Sequence, residues 1–289
     1  KPTSAVKAFG FSVLAAYPPP CYMLGGDVQE QLLEQYEKLK SSVRFRGDLP
    51  KRLSAPLCLY APERWKNSEN RVLIIGQETL GWGFCSGRYY DWPYEPIANW
   101  QDFTRVQDSV TAMVHGYKSF EFSRYQPENY RSPFWQAYRQ FREVLGEQRD
   151  GVETSVLWTN LFRMSLDGGS VIKGSREEVE QIREASRAVL RAELRILKPT
   201  AVVFFTGPKY NEALYSLFPN IEVFSFNGRD PQKTAQIMHP DLPSMAWRTY
   251  HPKYLSLSQQ WGVIDEILGK LCVAHNHQMQ PTGYASSCI

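Results

Sequence analysis

RVLIIGQETLGWGFCSGRYYDW, residues 71–92, decides how the chain is read. Val72 to Ile75 is an unbroken apolar run that stops at Gly76, the pattern of a short strand buried on both faces. Such a strand belongs to a parallel sheet with helices on either side. Its end is unusual, because the place of a short polar turn is taken by Gln77, Glu78 and a series of large aromatics punctuated by glycine. Polar groups set directly on the end of a buried strand point to a site at the carboxyl rim of the sheet, where open α/β sheets bind their ligands.

Outward from this strand, strands and helices alternate. An irregular arm at 1–25, ending in the rigid run Pro18, Pro19, Pro20, leads into a charged amphipathic helix over Asp27 to Lys40. Downstream come helices near Trp100 to Val114 and Phe134 to Leu145, a strand at Ser155 to Thr159, and a long helix. That helix opens on Ser175 with Glu178 three residues later, a capping box. It carries the apolar stripe Val179, Ile182, Val189, Leu190, Leu194 and Leu197 and stops before Pro199. Strands at Ala201 to Phe205, Ile221 to Phe226 and Ala246 to Tyr250 follow, with helices at Tyr210 to Leu217 and Ser258 to Leu271. The prediction is an α/β fold, a three-layer α/β/α sandwich around a central, mostly parallel four-stranded sheet. Its organisation reads as an N-terminal extension with a helix at 1–56, the α/β/α domain at 57–272 and a disordered tail at 273–289.

Composition bounds the function. The 289 residues carry 33 basic and 30 acidic side chains, so a formal charge of +3 provides no global field for a polyanion and any nucleic-acid site must be local. Cys21, Cys58, Cys85, Cys272 and Cys288 include no C-x-x-C pair, which argues against a disulfide framework or a zinc knuckle and for a reducing cytoplasm. No apolar run approaches the ~20 residues of a membrane span, and no secretory signal is read at the start. Gly81, Gly83 and Gly87 miss the dinucleotide spacing, and Trp82 and Phe84 would obstruct a pyrophosphate cradle. Cys85 as a nucleophile would need a base that the sequence does not locate.

Four segments fall on one rim: Gln77 to Gly83, Asn160 to Arg163, Gly207 to Lys209 and His251 to Ser256. As an ordered set they resemble the uracil-DNA glycosylases. GQETLGWG after a strand is similar to that family's G-Q-D-P-Y-H motif, WTNLF to its strand ending in a base-reading Asn, AVVFFTG to its third strand, and HPKYLS to its H-P-S-P-L-S loop. The likeness spans Val72 to Leu271.

The resemblance implies roles. Glu78 falls on the water-orienting carboxylate, suited to an oxocarbenium-like sugar; otherwise it is a surface or capping Glu. Asn160 falls on the residue that hydrogen-bonds the flipped base, for which a carboxamide offers donor and acceptor together. His251 falls on the histidine that stabilises the departing base, and is preferred to His239 because HPKYLS precedes a helix whereas HPDLP does not. Gln77 would present backbone groups to the base edge, and Phe84 or Trp82 would stack under it, unless they are core aromatics. Tyr254 or Leu255 would be the wedge that opens the duplex, with Lys253, Arg163 and Lys209 on phosphates.

Departures from the family matter as well. Leu80 stands where uracil enzymes place a Tyr that excludes a C5 methyl group, and the following segment offers Arg88, Asp91, Glu95 and Asn99 beside aromatics. That combination implies a pyrimidine enlarged at C5, such as hydroxymethylated or glucosylated cytosine of phage DNA, excised in antiviral defence. The competing readings are repair of uracil or mismatched thymine, and a non-catalytic nucleic-acid or protein-binding module. The expected enzyme is a monofunctional, monomeric hydrolase needing no metal or other cofactor. Its partner is DNA, as a duplex with the target base flipped or as a single strand.

Overall fold

A computed structural model describes residues 26–83, 94–122, 131–145, 148–149, 152–153 and 155–278. The arm at 1–25, Phe84, Cys85, Arg88 and Asp91, and the tail from 279 lie outside the described residues.

The first strand, β1 (Val72–Glu78), has β4 (Val156–Phe162) on one side and β5 (Ala201–Phe204) on the other, both parallel to it. β8 (Met245–Arg248) continues the parallel set beyond β5. Two further strands, β7 (Ala235–Met238) and β6 (Glu222–Ser225), add antiparallel, giving six strands in the order β4-β1-β5-β8-β7-β6. The expected count of four is therefore corrected to six. β7 was not read from the sequence, since four residues with only two inward apolar side chains carry too little periodicity, and its pairing with β8 is a tertiary fact. A separate two-stranded hairpin joins β2 (Gln148–Arg149) to β3 (Val152–Glu153).

Successive side chains of a strand face opposite sides, and β4 shows what covers each. Trp158 packs against Tyr117 and Phe120 of α4 (Ser109–Phe122) and Trp135 of α5 (Pro133–Leu145). Thr159 faces α6 (Arg176–Leu197). α1 (Gly26–Ser42) and α7 (Asn211–Leu217) pack on α6, and α9 (Gly262–Gln278) packs on α5. Short helices α2 (Leu49–Arg52), α3 (Trp100–Arg105) and α8 (Pro252–Leu257) complete the set among the described residues. The helix expected in an N-terminal extension belongs to the core, with Leu32, Tyr36 and Leu39 buried. α9 runs to Gln278, so the expected tail boundary at 273 falls inside a helix.

α6 begins as its sequence requires. The Ser175 Oγ accepts from the Glu178 N–H at 3.3 Å and the Glu178 carboxylate from the Ser175 N–H at 2.7 Å. Before Pro199, Lys198 ends the helix in the left-handed region at φ 45°.

The interior of this face holds a charge network that corrects one prediction. Arg163 is fully buried and pairs with Glu193 of α6 and Thr159 of β4, instead of reaching solvent as a phosphate contact. Tyr36 donates to the same Glu193 at 2.5 Å and accepts from the Leu59 N–H at 2.9 Å, locking α1 to α6 and to the segment before β1. Burial lowers the Arg163 pKa to about 10, so it stays charged at neutral pH. Breaking a buried pair strands the remaining charge at a cost of about 3–5 kcal/mol, whereas replacing both partners with apolar groups costs far less. Glu193→Met alone should therefore lower stability by that amount in urea unfolding, and Arg163→Met/Glu193→Met should recover most of it.

Candidate active site

The carboxyl end of β1 is built around an absent side chain. Gly76 pairs in register with Asn160 of β4. A β-carbon on it would collide with Asn160 Oδ1 and come within 3.1 Å of the Phe134 ring, so the strand is bare where its neighbours converge. Phe134 in turn stacks on the His251 imidazole, with centroids 5.8 Å apart and planes 18° from parallel. Gly76, Asn160, Phe134 and His251 thus form one contiguous patch contributed by β1, β4, α5 and the loop after β8. Asn160 is 6% exposed, and its carboxamide has no hydrogen-bond partner among the described residues. A nearly buried amide left unpaired is a group prepared for a ligand or for ordered water.

His251 is the N-cap of α8, with Pro252 at the first helical position. Its Nδ1 accepts from the Lys253 N–H at 3.2 Å, so the neutral ring carries its proton on Nε2. Burial, reinforced by the Lys253 charge, lowers its pKa to about 4. A neutral imidazole with Nε2–H available can donate a hydrogen bond without first gaining a proton. His239 differs. Its Nδ1 accepts from the Asp241 N–H and its Nε2 meets the Pro219 carbonyl, each at 3.1 Å, and it follows β7, whose antiparallel run ends at the opposite edge of the sheet.

Glu78 is held firmly. The Val171 N–H donates to its Oε2 at 2.7 Å and the Tyr210 hydroxyl to its Oε1 at 2.6 Å. Burial, then the bond to Glu78, pushes the Tyr210 phenol above its ordinary range and keeps it a donor. Each carboxylate oxygen keeps a further lone pair for water. Gln77 spends its side-chain amide on the Thr206 carbonyl at 2.8 Å, pinning β1 to the end of β5.

Other predicted site residues move. Leu80 is 74% exposed, so it points into solvent and does not wall a base pocket. Trp82 packs edge-on against Phe120 and Trp158 as part of the aromatic core. Asn99 caps α3, accepting from the Asp102 N–H at 2.8 Å, and Glu95 pairs with Arg105. Leu255 is fully buried and cannot enter a duplex. The exposed apolar groups of that helix are Tyr254, stacked on Tyr250 at 4.1 Å, and Leu257. Lys209 and Lys253 are exposed, as phosphate contacts require. Phe134 was missed, because in the run SPFWQAY nothing separates a platform ring from its core neighbours.

Among the described residues no group of three or more His, Cys, Asp or Glu could hold a metal ion, and no helix is long and apolar enough to cross a membrane. Compared with known proteins, the chain matches no family model and no curated relative.

The His251 geometry has a pH signature. Its folded pKa lies below its unfolded value of 6.5, so the unfolded chain binds the extra proton first and the folded state loses stability as pH falls from 6.5 toward 4. Nitrogen-detected NMR of the imidazole should show Nδ1 unprotonated from pH 8 to 5, with charging only near 4. Titration near 6.5 would contradict the assigned environment.

Proposed function

We propose that the protein is a DNA glycosylase of the uracil-DNA glycosylase type, hydrolysing the N-glycosidic bond of a pyrimidine turned out of the helix. The observation that carries the reading is the patch at the carboxyl rim, where an unpaired carboxamide, a stacking ring and a neutral histidine meet over a bare strand. The parallel order β4-β1-β5-β8 supports it by setting the four motif segments side by side.

In this mechanism an extruded base stacks on Phe134 and pairs with the Asn160 carboxamide, which supplies donor and acceptor. The bond from C1′ to the base nitrogen breaks and its electron pair leaves with the base. His251 Nε2–H donates to the carbonyl oxygen where that charge collects, a contribution of about 3 kcal/mol in comparable sites. The sugar becomes oxocarbenium-like and is stabilised by the Glu78 carboxylate. Water held on Glu78 attacks C1′ and passes its proton to that carboxylate. The products are a free base and an abasic site with the backbone uncut.

With the Leu80 side chain in solvent, that residue sets no barrier beside C5. We accordingly extend the proposal to pyrimidines enlarged there, hydroxymethylated or glucosylated cytosine being the expected class, in a defence role against phage DNA.

Release of free base from duplexes carrying uracil, mismatched thymine, 5-hydroxymethylcytosine and its glucosylated form tests both levels. Under single-turnover conditions Asn160→Ala and His251→Ala should each slow release by at least about tenfold with DNA binding retained, since both act on the transition state. Binding without release from any substrate would leave the non-catalytic module as the answer.

A further inference from the structure

Two exposed aliphatic side chains stand beside Glu78 at the carboxyl rim, on the β1 side of the His251 loop. Leu80 is 74% exposed and Ile172 is 40% exposed, yet each sits on tightly held backbone. Thr79, before Leu80, is buried, and the Gly81 N–H after it donates to Ser165 Oγ at 3.0 Å. Val171, before Ile172, is buried and anchored to Glu78, and the Gly174 N–H closes the 3-10 turn on the Val171 carbonyl at 3.0 Å. Glu78 therefore joins the two, lying two residues from Leu80 and bonding the residue before Ile172.

This pair has a counterpart. Beyond the end of β8, Tyr254 and Leu257 are also exposed on a short helix backed by the Tyr250 ring. Only β5 separates β1 from β8, so the ends of the two strands from which these groups follow lie two strand spacings apart, about 10 Å. That is roughly three nucleotide steps of ~3.4 Å along one strand. Lys173, Lys209 and Lys253 are exposed around the same rim with no acidic partner among the described residues. Scattered apolar side chains on a surface need no explanation, but paired apolar groups interleaved with free cations fit a polyanion that also offers flat apolar faces.

We infer that Leu80 and Ile172 form a second wedge, so that duplex DNA is unstacked on both sides of the extruded nucleotide. The inference rests on the glycosylase reading of this cleft. Its chemistry is apolar side chains replacing base neighbours at each flank, with lysines on the phosphates.

The test uses the full chain and duplexes with a central tetrahydrofuran abasic site and 2-aminopurine immediately 5′ or 3′ to it. Wild-type protein should raise the fluorescence of both probes. Leu80→Ser/Ile172→Ser should abolish the rise on one side and keep it on the other, and Leu257→Ser should do the reverse. Each position is exposed, and an unchanged unfolding curve checks that the variants fold. Equal rises on both sides with Leu80→Ser/Ile172→Ser, or a wild-type rise on one side only, would overturn the second wedge. Wild-type base release from duplexes of the same sequence, with uracil, thymine, 5-hydroxymethylcytosine or its glucosylated form in place of tetrahydrofuran, is followed separately: no release from any of them fails the glycosylase reading, while the fluorescence still decides the wedge.

Discussion

A side chain at residue 76 would occupy the space that Asn160 and Phe134 share, and that missing β-carbon sets the rest of the site. Because β1 lies between β4 and β5 and is parallel to both, its end cannot be moved aside without disturbing them. The only adjustable quantity is what projects from it. Glycine lets the carboxamide of β4 lie over the strand and lets Phe134 approach from α5, which brings the ring within stacking distance of His251. Close-packed interiors absorb such intrusions poorly.

The rim owes its rigidity to groups that never touch the cleft. Arg163, Glu193, Thr159 and Tyr36 fasten α6 and α1 beneath β4, and the capping box starts α6 directly after the turn that holds Glu78. Val171 and Tyr210 then fix the carboxylate from two directions. The Lys253 N–H fixes the His251 tautomer in the same way, by occupying the nitrogen that faces its own helix. Preorganised donors and acceptors of this kind favour catalysis by electrostatics, because little needs to reorient when charge develops.

Local patterns were legible and long-range partnerships were not. The strand at 72–75, the capping box at Ser175 and Glu178 and the stop at Pro199 are written in adjacent residues, and the structure contains each. The helix that follows HPKYLS, α9, likewise separates His251 from His239. Arg163 looked like a surface cation because its partner Glu193 is 30 residues away in sequence. Leu255 read as a wedge although α8 turns it inward and leaves Leu257 exposed, a helical phase that an extended reading of the loop could not supply. Leu80 read as a pocket wall from its place in a motif, and β7 fell below the periodicity that short strands can show.

The bare strand at Gly76 is the feature on which catalysis at this rim depends. In Gly76→Ala the added carbon should displace the Asn160 carboxamide from the Phe134–His251 patch while costing the fold only about 1–3 kcal/mol. Single-turnover base release measured beside the unfolding curve should then fall by at least about a hundredfold in protein that remains folded and still binds DNA. Wild-type release by folded Gly76→Ala would contradict the account.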